Sequence, residues 1–124
     1  MNLIDSFGWI EYFAEGSLAQ KYAQYIESAT RENTVTPTIV VFEVYRRLKA
    51  KRGEQRALEA YAQLTGTRKV DLDDALALVA ADIRLQLGLG MADAIVLATA
   101  RRFGAQILTS DHHFEKIPEA KLIQ

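Results

Sequence analysis

The sequence predicts a three-layer α/β/α domain built on a short parallel sheet. Short apolar runs recur along the chain: "NLID" at 2–5, "TVT" at 34–36, "KVDL" at 69–72, "AQILTS" at 105–110 and "AKLIQ" at 120–124. The stretches between the first four are long enough for helices, and strands alternating with helices imply a parallel sheet covered on both faces. Residues 91–103, "MADAIVLATARRF", are apolar almost all round, as a helix buried against a sheet must be.

Each element has a local reason. "NLID" is an apolar run ending in an acid and reads as a strand. "GWIEYFAEG" is a short helix closed by Gly16, and Ser17 is placed to cap a longer one, "LAQKYAQYIESATREN". In that segment Leu18, Tyr22, Tyr25, Ile26 and Ala29 repeat near helical spacing. Pro37 suits the first turn of a helix running to about Arg52, because its missing N–H is not needed there. Gly53 ends that helix and "EQRALEAYAQLTG" supplies the next. Asp73 is positioned to cap "DALALVAADIRLQLG", and Gly104 stops the buried helix. "DHHFEKI" is a short turn or helix before the last strand.

With 124 residues the chain is expected to form one domain, residues 1–124, with a real core. Apolar residues make up 49% and charged residues 25%, an ordinary globular balance that argues against disorder. Lys and Arg (15) nearly match Asp and Glu (16), so bulk charge selects neither a nucleic acid nor a membrane as partner. The absence of cysteine removes disulfides, thiolate metal sites and cysteine nucleophiles. "MNLIDSFGWIEYF" lacks the features of a signal peptide, and no apolar run approaches the ~20 residues of a membrane span. The expectation is a soluble, cytoplasmic domain.

Function has to come from where the acids fall. In α/β sheets, ligands bind beyond the carboxyl ends of the strands. Asp5 ends the first strand and Asp111 follows "QILTS". Asp93 lies in the first turn of the buried helix, and Glu43 in the second turn of the helix after "TVTP". Each has a bland explanation: a turn former for Asp5 and Asp111, a dipole-favoured helix start for Asp93, an outward-facing residue for Glu43. Together, four acids from different segments near element ends point to one cleft. Close carboxylates repel one another, and a divalent cation relieves them. Oxygen ligands without cysteine favour Mg²⁺ or Mn²⁺ over zinc.

Other features carry less. His112 and His113 read first as a polar loop, with a metal or general-base role second. Trp9 and Tyr12, three apart on a short helix, read as core. The run "YRRLKAKRGEQR" holds six basic residues, Arg46, Arg47, Lys49, Lys51, Arg52 and Arg56, against one acid. Such a run is usually a solvated helix face, yet it leads directly away from Glu43. That suits a polyanion approaching a metal site.

The segments "LIDSFGWIEYF", "VFEVYRRL" and "GLGMADAIVLATARRFGAQILTSDHHF" resemble PIN-domain ribonucleases, in particular VapC-type toxins of toxin–antitoxin pairs. The resemblance covers essentially the whole chain. Its most specific part is the acid opening "ADAIVLATA", followed by "ILTSD" at the family's spacing. It implies that Asp5, Glu43, Asp93 and Asp111 bind Mg²⁺ or Mn²⁺ and support RNA cleavage, with Ser6 and Thr109 as supporting hydroxyls. Arg46, Arg47 and Lys49 are the candidate RNA contacts. Three positions depart from the pattern: Phe7 is more often small and polar, Gly90–Met91 replaces a common Leu-Pro, and His113 stands where some members carry a further acid.

The expected function is therefore a metal-dependent endoribonuclease toxin, held in check by a cognate VapB-type antitoxin and forming a homodimer. Trp9, Ile10, Phe13, Tyr22 and Tyr25 exceed what one small core obviously needs, and some of them are expected to seal a homodimer or receive an amphipathic antitoxin helix. Two rivals differ in kind. A non-catalytic RNA-binding or scaffold module would keep the fold without needing all four acids. A phosphoacceptor signalling domain would want paired acids after the first strand and a lysine after a late one, whereas "IDSFG" offers one acid and no lysine precedes Lys116. Neither Gly-rich phosphate motif occurs, which argues against nucleotide binding.

Overall fold

In the computed structural model, which describes residues 1–124, pairs of helices separate the first four strands. The strands are β1 (Asn2–Ile4), β2 (Val35–Pro37), β3 (Arg68–Val70), β4 (Gln106–Thr109) and β5 (Ala120–Leu122). The helices are α1 (Ser6–Phe13), α2 (Ala19–Glu27), α3 (Thr38–Arg52), α4 (Glu54–Leu64), α5 (Asp74–Leu87) and α6 (Met91–Phe103). A 3₁₀ turn at His112–Phe114 follows β4.

Every strand pairing is parallel. β1 pairs β4 with Leu3 opposite Ile107, β4 pairs β5, and β2 pairs β3. A parallel bridge between Asn2 and Thr34 joins the two sets, giving the order β3-β2-β1-β4-β5. Leu3, Ile4, Ile107 and Leu108 are fully buried, as consecutive residues in a sheet covered on both faces must be. On one face α6 packs against β1, β2 and β4, with α5 against it. On the other, α1 meets β4 and α3 meets β2, with α2 and α4 packed on these two helices. The three layers match the expectation.

α6 is the interior element. Its residues Ala94 to Ala100 are all buried, and the one polar member, Thr99, returns its hydroxyl to the Ile95 carbonyl at 2.8 Å. The interior therefore takes this helix without an unpaired donor. Arg101 and Arg102 lie in its last turn, where cations suit the helix dipole. Gly104 closes it in the left-handed conformation (φ 61°). α5 begins as the sequence predicts: the Asp73 carboxylate accepts the Leu76 N–H at 2.8 Å. The same carboxylate meets the Arg102 guanidinium at 3.0 and 3.3 Å, tying the start of α5 to the end of α6.

Several expectations need correction. α1 starts earlier than "GWIEYF", at Ser6, because Asp5 caps it. α2 is shorter than expected, and Ser17 does not cap it; the Glu11 carboxylate accepts the Leu18 N–H instead, at 3.2 Å. Residues 30–33 form a turn held by reciprocal bonds between Thr30 and Asn33. Pro37 stands just before α3 rather than in its first turn.

The largest correction concerns the early aromatics. Trp9 and Tyr22 are fully buried and Phe13 nearly so, leaving only Ile10 and Tyr25 half-exposed. Trp9 also spends its indole N–H on the Ile4 carbonyl at 3.2 Å. These rings form the core against the sheet, and truncating one to alanine would cost about 3–5 kcal/mol. Exposed apolar side chains concentrate on α5 and its flanks, at Leu72, Leu78, Val79, Leu85, Leu87 and Met91, with Phe7, Phe42, Leu58 and Tyr61 exposed on the other helices. No single helix is long and apolar enough to cross a membrane.

Candidate active site

The carboxyl ends of β1 and β4 lie side by side, and the acids that follow them meet there. Asp5 leaves β1 as the cap of α1, with one carboxylate oxygen accepting the Ser6 N–H at 2.8 Å. Its other oxygen accepts the hydroxyl of Thr109, the last residue of β4, at 2.9 Å. The Thr109 hydroxyl oxygen in turn accepts the Asp111 N–H at 3.0 Å. One buried threonine thus fixes two of the predicted acids relative to each other.

Asp5, Ser6, Phe7, Glu43, Asp93, Ser110 and Asp111 line a single open cavity of about 330 Å³. The structure brings all four predicted acids together, from the ends of two strands, the first turn of α6 and the second turn of α3. Ser6 lines the cavity, whereas Thr109 lies beneath it and works through Asp5. Asp93, Asp111 and His113 form the most compact donor set, each offering an atom within 4.8 Å of the others. Asp5 and Glu43 line the same cavity outside that set.

Electrostatics here are those of an unbalanced negative site. Burial pushes the Asp5 carboxyl up, against the opposing hydrogen bonds from Thr109 and Ser6. Burial likewise raises Glu43, with the Ser6 hydroxyl working against the rise and Asp5 adding to it. Asp93 is pushed up to about 6, first by desolvation and then by the charges of Asp111 and Asp5. A shift of that size costs its ionised form roughly 3 kcal/mol, more than the ~0.3–1 kcal/mol a helix N-terminus typically returns. Burial and repulsion outweigh the dipole.

His113 departs from the polar-loop reading. Its Nδ1 lies 2.9 Å from an Asp111 oxygen and 3.9 Å from Asp93, although the side chain is 78% exposed. His112 makes no such contact. Ser110 was not foreseen: it lines the cavity, shares a 2.7 Å hydrogen bond with the buried Tyr22 hydroxyl and donates to the Ile123 carbonyl at 2.7 Å. The hydroxyl pair in "TSD" was its only signal in the sequence.

The basic run divides by helical geometry. Glu43, Arg47 and Lys51 recur every four residues, so they share one face of α3. With Arg46 and Arg52 they line a second depression, about 510 Å³, that shares Ser6, Phe7 and Glu43 with the acidic cavity. Lys49 turns away: it lies over the Tyr45 ring and pairs with Glu54 at 3.6 Å. Arg56 is structural, donating to the Phe13 carbonyl at 2.7 Å and pairing with Glu59.

The donor set suits a hard divalent cation. Four carboxylates crowd one cavity, three of them are held above the usual carboxylate range, and no thiolate is available to favour a softer ion. An acid-lined cavity at the carboxyl edge of a parallel sheet is the class of site this fold presents. The chain belongs to the PIN-domain family, whose model matches residues 3–120. Among curated proteins, none matches it significantly in sequence.

Solved structures share the fold. One is a toxin–antitoxin complex from Klebsiella pneumoniae, 24% identical, with a TM-score of 0.82, covering 100% of this chain and 98% of that one. Another is VapC20 of Mycobacterium tuberculosis, a toxin that cleaves the sarcin–ricin loop. It is 18% identical, with a TM-score of 0.79 and 95% of each chain covered. DNA-bound VapBC from Salmonella typhimurium is 17% identical, with a TM-score of 0.72, covering 98% of this chain and 97% of that one.

Proposed function

We propose that the chain is a metal-dependent endoribonuclease acting as the toxin of a toxin–antitoxin pair. The observation that carries this reading is the convergence of Asp5, Glu43, Asp93 and Asp111 on one cavity. Family membership and a fold shared with VapC toxins support it. Asp5, Asp93 and Asp111, with Glu43, would hold Mg²⁺ or Mn²⁺. Such an ion, when bound, lowers the pKa of a water and stabilises charge on a phosphodiester.

The chain's own residues supply the rest. Thr109 and the Ser6 N–H hold the Asp5 carboxylate in one orientation. Glu43, whose carboxyl burial raises above its ordinary value, lines the same cavity, where a carboxylate can accept a proton from an attacking water. The parallel sheet keeps Asp5 and Asp111 on adjacent strand ends, so these acids need no rearrangement on substrate arrival.

The partners follow from the same reading. A VapB-type antitoxin would silence the site most simply by placing an Arg or Lys in the acidic cavity. A homodimer would most simply use the exposed apolar side chains of α5, since Trp9, Phe13 and Tyr22 are buried.

The test is cleavage of RNA by purified, inhibitor-free protein in Mg²⁺ or Mn²⁺, with loss of activity in EDTA. Asp5→Asn and Asp93→Asn should each abolish it, since each removes a hard anionic ligand. Expression alone should arrest growth, and co-expression with the antitoxin should restore it. Full activity in both variants would sink the assignment.

A further inference from the structure

The acidic cavity has a one-sided approach. On the side of Asp93, Asp111 and His113, no Lys or Arg lines it. On the side of Glu43 it opens into the depression between α1 and α3, where Arg46, Arg47, Lys51 and Arg52 face Glu11 and Glu43. Arg46, Arg47 and Lys51 form no ion pair or hydrogen bond within the chain, so their charge is unspent. Arg52 donates to the Ala14 carbonyl at 2.9 Å and closes the far end. From Glu43 to Arg52 the floor runs nine residues of helix, roughly 14 Å, room for a few nucleotides of single strand.

Phe7 stands where the two depressions meet, lining both. It is 41% exposed, an unusual amount for a phenylalanine in the first turn of a helix beside four acids. Nor does it swing free. Its ring leans on Tyr22, with centroids 6.4 Å apart and planes tilted by 57°. Tyr22 is fixed from below by Ser110. The result is a braced aromatic surface at the junction of a cation-lined groove and a carboxylate cavity.

We infer that the α1–α3 groove seats single-stranded RNA on one side of the scissile phosphate, with Phe7 stacking on the base nearest the cavity. This rests on the nuclease reading and adds to it a direction of approach and a base contact at Phe7. Arg47 and Lys51, one turn and two turns beyond Glu43 on the same face, take successive phosphates. A duplex offers no free base face at that point, so single strands are preferred.

Fluorescence anisotropy tests this with Asp93→Asn protein, a labelled single-stranded RNA, its duplex and an abasic chain of the same length. Phe7→Ala should weaken binding to the single strand at least about fivefold, the lower end of what stacking on one base contributes. It should leave the abasic chain unaffected, and Phe7→Trp should restore affinity. Arg47→Ala and Lys51→Ala should each reduce the salt slope by about 0.7, whereas Lys49→Ala should not.

Equal loss with the abasic chain, tighter binding of the duplex, or a Lys49 effect as large as that of Arg47 overturns the groove assignment. In any of those cases wild-type cleavage in Mg²⁺ would still stand for the nuclease reading. A wild-type chain that neither binds nor cleaves RNA removes both.

Discussion

Thr109 and Asp5, 104 positions apart in sequence, are joined by a 2.9 Å hydrogen bond that is buried from solvent. Thr109 has no accessible surface and no direct access to the cavity. It acts by fixing the carboxylate that does have access, and by accepting the Asp111 N–H.

Thr109→Val should therefore be costly, although it keeps the shape. It strips a donor from a buried carboxylate and an acceptor from a backbone amide, which costs about 1–3 kcal/mol. Thermal melts should show a clear fall for valine and little for serine. Cleavage should drop with valine by more than the loss of folded protein accounts for. A valine variant with wild-type stability and rate would show that the bond positions nothing.

The metal-free protein should lose stability as pH rises. Asp93 has a folded pKa of about 6 against 3.8 unfolded, so the folded state binds the proton more tightly. Its contribution is fully present below about pH 3.8 and is lost as pH rises through about 6. Asp5 and Glu43 shift the same way. In EDTA, Asp93→Asn should flatten the melting curve against pH and match or exceed the wild type at pH 7.5, by roughly 1–3 kcal/mol. Mg²⁺ should stabilise the wild type more than the variant. Parallel pH profiles for the two proteins would contradict the repulsion described here.

Gly8 sets how closely α1 approaches its neighbours. A Cβ there would lie 2.4 Å from the Tyr22 ring and 2.9 Å from an Ile4 methyl carbon, closer than carbon atoms can stand. Gly8→Ala should cost about 1–3 kcal/mol through overpacking, despite alanine's better helix propensity. Because Tyr22 also braces Phe7, the variant should lower RNA affinity too. A stabilised alanine variant would mean that the ring has room to move.

The α5 face should control self-association. Leu78 and Leu85 are 70% and 85% exposed and lie two turns apart on one side of the helix. Sedimentation should show a dimer for the wild type and a monomer for Leu78→Glu with Leu85→Glu, each monomer remaining folded. If the double variant stays dimeric, the contact lies elsewhere.

Much of this was legible in the sequence because it is local. Gly53, Asp73 and Gly104 punctuate helices by their own chemistry, and each lies at the expected boundary. The four acids were legible because each follows its own apolar segment, and topology alone carries such positions to one sheet edge. What escaped depends on long-range partners. A leucine on α5 and a tryptophan on α1 are equally apolar on paper, and only the packed layers decide that Trp9 is inside and Leu85 outside. The Ser110–Tyr22 bond spans 88 positions and leaves no local trace. Lys49 and Arg47 look alike in a basic run. The expectation that Lys49 contacts RNA overlooks the four-residue spacing from Glu43, which sets Arg47 on its face and Lys49 off it.

The span between Asp5 and Thr109 also sets when the site comes into being. A growing chain acquires Asp5 104 residues before Thr109, and Asp111 only after that. β1 has no β4 beside it until then, and the bond from Ile123 N–H to the Thr109 carbonyl arrives later still. Loop closure over such a distance makes this a late event in folding. On the proposed nuclease reading, a nascent chain would carry no complete acidic cavity until β4 and Asp111 have been made.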